Sequence, residues 1–204
     1  VEKRVDLFSS LQDTERKLTT EIAQSTEQYE VLGHSADLLR TLFDRIVKQE
    51  TDFVADTVTA GLRTVFHDQK LALKATFSVR ASKVGIDLAL SREEEGSATV
   101  EGNPIDVFGG GPVSLASILL RMVTLLKSGK VRFLLLDETA GPISSEYIDN
   151  CGLFLKTLAE KFGVDILLVA HKPEYLDHAH TAYTGTEVVV NHRPQFKALK
   201  VKSQ

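Results

Sequence analysis

Two carboxylates and one imidazole are the residues whose types and spacing could do chemistry. Asp137 and Glu138 end the run Arg132-Phe133-Leu134-Leu135-Leu136, and His171 follows the run Asp165-Ile166-Leu167-Leu168-Val169-Ala170. Both runs are continuous, apolar and of strand length, the pattern of strands buried on two faces. An Asp–Glu pair with a histidine suits phosphate chemistry. One carboxylate holds Mg²⁺, directly or through water. The other orients or deprotonates a water, and the imidazole donates to a phosphate oxygen. Taken singly, Asp137 reads as a turn cap and His171 as a bonded core histidine. The three together, each directly after a strand, point to function.

The segment between the two runs decides whether they meet. Within Ser145–Phe162 the residues Ile148, Cys151, Leu155, Leu158 and Phe162 form one helical stripe, with Ser144 or Ser145 as a cap and Gly163 as the stop. Strand, helix, strand at this length is a βαβ unit with a parallel pair, and its ligand site lies beyond the carboxyl ends of the strands. Asp137, Glu138 and His171 then share one sheet edge. Carboxylates set in a core there are costly to desolvate unless they hold a cation or a bonded partner. A second feature is the cluster Gly109-Gly110-Gly111-Pro112 before a very apolar helix expected over 113–127. Its exposed N–H groups and the helix dipole would make an anion cradle. It is not a P-loop: no G-x-x-x-x-G-K-[ST] occurs in the 204 residues, and Ser128-Gly129-Lys130-Val131 lacks the loop, the hydroxyl and the following helix.

The rest of the chain must position these parts. Hydrophobic residues make up 43% and charged residues 25%, which excludes a disordered or collagen-like chain and a disulfide scaffold. The single Cys151 permits no internal disulfide and suits a reducing compartment such as the cytoplasm. No apolar run approaches the roughly 20 residues of a membrane span, and no basic, apolar leader opens the chain. A formal charge of −4 argues against a mainly electrostatic nucleic-acid binder. The first quarter has no proline and one glycine, Gly33. A coiled-coil register runs Phe8, Leu11, Glu15, Leu18, Ile22, Ser25, Tyr29, Leu32, Ala36, Leu39, Phe43, Ile46, Glu50, Phe53 without a break. It exceeds the three or four heptads that mark a coiled coil, and such a helix is on the order of 75 Å long. The alternative is a long amphipathic helix lying on a globular body. A coiled-coil seam requires a partner helix, and this sequence contains no second one.

A helix continues over 54–66 through Val54, Val58, Leu62 and Val65. Alternation then predicts strands over Leu71–Val79 and Val84–Leu90, a turn at Glu93–Ser97 and a short strand at Ala98–Glu101, an antiparallel meander. Glu187–Asn191 and Gln195–Val201 read as a closing hairpin. Asp177, His178 and His180 do not share a helix face and read as a solvated helix rather than a metal site. Arg193, Lys197, Lys200 and Lys202 read as a solvated strand face, with DNA contact as the alternative, and Cys151 reads as packing.

In this order of parts the chain resembles the C-terminal half of an ABC-type ATPase head. The long coiled coil narrows the likeness to the SMC-like branch, and within it to the double-strand-break repair ATPases of the SbcC type. The resemblance covers essentially the whole chain, with Phe133–Ser144, like a Walker B strand and D-loop, its most specific part. It implies an α/β fold, with a coiled-coil arm and root over 1–66 and an ATPase lobe over 67–204. It also implies ATP and Mg²⁺ as cofactors. By the same resemblance Asp137 holds Mg²⁺ through water, Glu138 polarises the attacking water and His171 senses the γ-phosphate. Phe108, Gly109, Gly110 and Gly111 correspond to the signature loop, which completes the site of the opposite subunit. Ala140, Gly141, Pro142, Ile143 and Ser144 correspond to the D-loop. Three positions depart from the family pattern: Phe108 replaces the usual serine, Thr139 the proline after the Walker B glutamate, and Ser144 the final aspartate of the D-loop.

The family's N-terminal lobe carries Walker A and the Q-loop, which this sequence lacks. The resemblance therefore implies one piece of a longer protein, or one partner of a split one, unable to hydrolyse ATP alone. The implied partners are an N-terminal P-loop lobe, a second head, DNA and an SbcD-type nuclease, with no membrane. Two other readings stand beside it. One is a stand-alone, non-hydrolysing binding or scaffold protein on an ATPase-derived fold, to which the absent P-loop and Phe108 point. The other is a metal-dependent hydrolase that uses Asp137, Glu138 and His171 unaided.

Overall fold

The structure, a computed structural model, describes residues 2–80, 83–93, 99–190 and 193–199. Most of the expected turn at Glu93–Ser97, together with Ala98, Asn191, Lys200, Val201 and Lys202, lies outside the described residues. The chain divides into two units, residues 1–49 and 50–204. One helix, α1 (Glu2–Val65), supplies all of the first unit and the start of the second. Its threonines and serines fit a helix because their hydroxyls turn back onto the preceding turn: Thr19 donates to the Glu15 carbonyl at 2.8 Å, Thr26 to Ile22 at 2.8 Å and Ser35 to Val31 at 2.7 Å. Along the first unit the seam residues Phe8, Leu11, Leu18, Ile22, Tyr29, Leu32, Leu39, Phe43 and Ile46 are all exposed. The second unit begins inside the helix, at Glu50, because Val58, Leu62 and Val65 are fully buried in its core.

The described residues of the second unit form three small sheets. β1 (Lys70–Arg80), β2 (Lys83–Glu93) and β3 (Val100–Gly102) form an antiparallel sheet in that order; β1 and β2 are slightly longer than the alternation predicts, and β3 is shorter and ends one residue later. The free edge of β1 is bonded by α1: Arg63 Nε donates to the Leu71 carbonyl at 2.8 Å, and the Leu73 N–H donates to Thr59 Oγ1 at 2.9 Å. Next come a one-turn helix α2 (Pro104–Val107) and the long α3 (Gly110–Ser128). β4 (Phe133–Asp137), α4 (Ser145–Phe162) and β5 (Asp165–Val169) are the expected βαβ unit, with β4 and β5 parallel. A 3₁₀ turn (Pro173–His178) leads to the antiparallel hairpin of β6 (Ala182–Val190) and β7 (Arg193–Leu199).

α3 is the helix around which the core is built. Leu115, Ile118, Leu119 and Met122 belong to one buried cluster with Leu62 and Phe66 of the α1 end, Leu71 and Leu90 of the first sheet, Leu136 of β4 and Ile148 and Cys151 of α4. By length and composition alone α3 is apolar enough to cross a membrane, which the run-length reading did not anticipate. The buried residues just named show what its apolar stripe does in this fold.

Two expectations are corrected. The glycines do not precede a helix that starts at residue 113. Gly109 is the N-cap, and Gly110, Gly111 and Pro112 form the first turn of α3. Proline is tolerated there because first-turn N–H groups have no intrahelical acceptor. The strands β4 and β5 are not buried on both faces. Leu134 and Leu136 point into the core, whereas Phe133, Leu135, Leu167 and Val169 on the other face are about half exposed.

Candidate functional site

The parallel register pairs Asp137 with Val169, so the two strand ends sit side by side. The Glu138 N–H donates to the Val169 carbonyl at 3.0 Å, extending the ladder by one bond. Glu138 then turns out of the sheet at φ 51°, the one described non-glycine residue with positive φ. That conformation costs an ordinary residue on the order of 1 kcal/mol and marks a constrained position. Its side chain meets His171, whose Nε2–H donates to Glu138 Oε1 at 2.6 Å. The structure therefore brings Asp137, Glu138 and His171 to one edge. It does not bury them: the His171 side chain is 85% exposed and that of Glu138 is 60% exposed. The desolvation expected from the apolar strands is absent, because Asp137 is the last residue of β4, Glu138 and His171 lie beyond the strand ends, and one sheet face is open.

Asp137 is exposed at the end of β4. Mg²⁺ is commonly held by one or two carboxylates, waters and substrate phosphates rather than by an all-protein cage. An open strand-end carboxylate beside a second one fits that role. Among the described residues no group of three or more His, Cys, Asp and Glu could hold a metal by itself. The residues near His180 pair otherwise: His178 Nε2 lies 3.3 Å from Asp149 Oδ1 and His180 Nε2 lies 3.0 Å from Glu160 Oε1. His178 is on the 3₁₀ turn and half-buried over Gly152, rather than on a solvated helix.

The 139–144 turn links the strand end to the glycines. The Gly141 N–H donates to the Glu138 carbonyl at 2.9 Å, and the Ile143 N–H to Ala140 at 3.3 Å. Pro142 lies on Gly110 so closely that a Cβ there would sit 2.6 Å from Pro142 Cβ. Gly111 packs against the Pro142 carbonyl, Ile143 and the Phe66 ring. Gly109, at φ 69° and ψ −179°, occupies backbone space that essentially only glycine enters. These glycines thus allow the turn and the α3 N-terminus to touch. Phe108 ends α2 and packs partly buried on the core. Ser144 is the N-cap of α4 by position, yet its side chain makes no capping bond.

Sequence reasoning missed two residues that hold this turn. The Lys172 ammonium donates to the Ile143 carbonyl, and the buried Tyr175 hydroxyl donates to the Ala140 carbonyl at 3.2 Å. Burial pushes the Tyr175 hydroxyl pKa well up, and it pushes the adjoining Cys151 thiol to about 11. Cys151 is fully buried, so packing is its role. One turn earlier on α4, Tyr147 donates to Asp68 Oδ2 at 2.7 Å and accepts from Gln69 Nε2 at 3.0 Å. The Tyr147 ring meets Phe66 edge-on at 4.7 Å.

No protein-family model matches this sequence, and no curated protein is similar to it. Solved structures are similar in fold. One comes from work on the structural biochemistry of ATP-driven dimerization and DNA stimulated activation of SMC ATPases. It has a TM-score of 0.58 at 9% identity, over 78% of this chain and 90% of that one. A second is an SmcHead bound to the C-winged helix domain of ScpA, with a TM-score of 0.58 at 9% identity over 78% and 46%. A third is the Smc head domain with a coiled coil and joint from Pyrococcus yayanosii, with a TM-score of 0.53 at 11% identity over 87% and 34%. This chain spans most of the first and less than half of the other two. The class defined is a mixed α/β fold with a long N-terminal helix, an antiparallel sheet and a parallel strand pair. More particularly, the fold is similar to that of the SMC head domains in these structures, over the part of them that this chain spans.

Proposed function

We propose that this chain is the C-terminal lobe and coiled-coil root of an SMC-like ATPase head of the SbcC type. Residues 1–66 are the arm and root, and residues 67–204 are the lobe. It hydrolyses ATP when joined to an N-terminal P-loop lobe and when two such heads close on nucleotide. The cycle regulates DNA binding and an SbcD-type nuclease. Asp137 would hold Mg²⁺ through water, and the ion would neutralise phosphate charge; Glu138 orients the attacking water, and His171 donates to the γ-phosphate. Phe108–Gly111 correspond to the loop that completes the nucleotide site of the second head, and Gly141–Ser144 to the D-loop that crosses the contact between the heads.

The observation that carries this reading is the open face of the parallel pair. Phe133, Leu135, Leu167 and Val169 form an exposed apolar patch on the sheet that presents Asp137, Glu138 and His171. Parallel sheets are characteristically covered on both faces. A lobe carrying the phosphate-binding loop would cover this one and reach the strand ends at the same time. Burying the remaining surface of each side chain contributes on the order of 1 kcal/mol.

The test is association with the P-loop lobe encoded upstream or in the neighbouring gene. Leu135→Asp is expected to weaken it by about two orders of magnitude, since an isolated carboxylate would be buried at the centre of the contact. The melting temperature of the chain alone is expected to hold, because Leu135 is already half exposed. Equal affinity in the two proteins would remove the lobe interface from this face. The scaffold reading keeps one observation of its own: the position that carries a signature serine in the family holds Phe108, which packs on the core.

A further inference from the structure

The residues on either side of the sheet edge are laced together at four points. The segment 138–143 is bonded to 169–175 by Glu138 N–H to the Val169 carbonyl, His171 to Glu138, Lys172 to the Ile143 carbonyl and Tyr175 to the Ala140 carbonyl. Two of these bonds are unlike surface contacts. Tyr175 is 6% exposed, and its hydroxyl reaches a buried residue, Ala140. Lys172 is partly buried and spends its charge on a main-chain carbonyl rather than on a carboxylate. A charge-assisted bond of that kind is stronger than a neutral one. On its other side the turn rests on α3, where Pro142 touches Gly110 and the Pro142 carbonyl touches Gly111.

We infer that Lys172, supported by Tyr175, is a positioning residue. It fixes the 140–144 turn to the segment that carries His171, and thereby sets how Pro142 seats on the α3 N-terminus. A shift of His171 then moves the turn and the Gly109–Gly111 edge together. Lys172 touches no reacting group in this scheme; it acts through Ile143. The functional consequence rests on the ATPase reading, while the clasp itself does not.

Hydrogen–deuterium exchange on the whole chain tests the clasp without nucleotide. Lys172→Met keeps most of the stem and deletes the charge. It is expected to speed exchange of the Gly141 and Ile143 amides about tenfold or more, with β1 and β2 unchanged. Lys172→Arg is expected to restore protection. If Lys172→Met loosens the whole chain, Tyr175→Phe must still loosen 140–144 alone. Unchanged exchange in that turn, or loss confined to no segment in both variants, overturns the inference. In a head completed by the P-loop lobe, Lys172→Met is expected to lower kcat with KM for ATP unchanged. A KM effect alone would overturn the positioning role. If the exchange behaves as expected and no ATPase can be assembled, the clasp stands and the ATPase reading fails.

Discussion

Glu138→Gln is expected to lower MgATP hydrolysis by the completed head about 10²- to 10³-fold and to leave ATP binding within about twofold. The reason lies in how the residue is held. The Glu138 backbone is locked to Val169 and bent to φ 51°, so its side chain leaves the sheet at a fixed point beyond β4. Glutamine has the same shape and its carbonyl oxygen still accepts from His171, so the geometry survives. What is lost is the negative charge that attracts and orients a proton of the attacking water. Steady-state turnover with a nucleotide-binding titration on the same preparation checks both halves. Retained turnover would place the water-activating group elsewhere.

The second large effect concerns the glycines, and it separates neighbours. Gly110→Val is expected to destabilise the chain by about 2–3 kcal/mol. Its Cβ would sit 2.6 Å from Pro142 Cβ, which belongs to a ring fixed to the backbone rather than to a flexible tip. Either the 139–144 turn or the first turn of α3 must give way. Gly111→Ala is the control. There the nearest atoms are 3.6 Å away, an ordinary contact, and the position is helical. Removing backbone freedom from the unfolded chain makes that change neutral, or stabilising by up to about 1 kcal/mol. Urea unfolding of the three proteins decides the matter. Equal behaviour of the two glycines would show that Pro142 does not seat on Gly110.

The βαβ unit was legible because three signals agreed: two strand-length apolar runs, one helical stripe between them, and Gly163, which takes φ 60° to stop α4. From a parallel register the meeting of Asp137, Glu138 and His171 follows directly. The start of α3 was not legible. Three glycines and a proline have the poorest helix propensities, yet at the N-terminal turn the usual penalties shrink, and packing of Gly111 on Phe66 and Ile143 decides. The open face of β4 and β5 was also hidden, since a run such as Phe133–Leu136 is equally apolar whether or not its second face is covered. α2 was missed because a single helical turn is too short to show a hydrophobic period; Asn103 caps it, accepting from the Ile105 N–H at 3.1 Å. Lys172 carries no signal in sequence, because its acceptor lies 29 residues away on a turn whose position only the fold reveals.

In the proposed head the chain supplies Asp137, Glu138 and His171 to an ATP site whose phosphate loop lies on another lobe. Mg²⁺-dependent ATP hydrolysis, measured while the P-loop lobe is titrated into a fixed amount of this chain, tests it most directly. No turnover is expected from either piece alone, and activity is expected to rise to a plateau at equimolar lobe. An inert mixture of demonstrably bound partners, or equal turnover from the P-loop lobe without this chain, would contradict it.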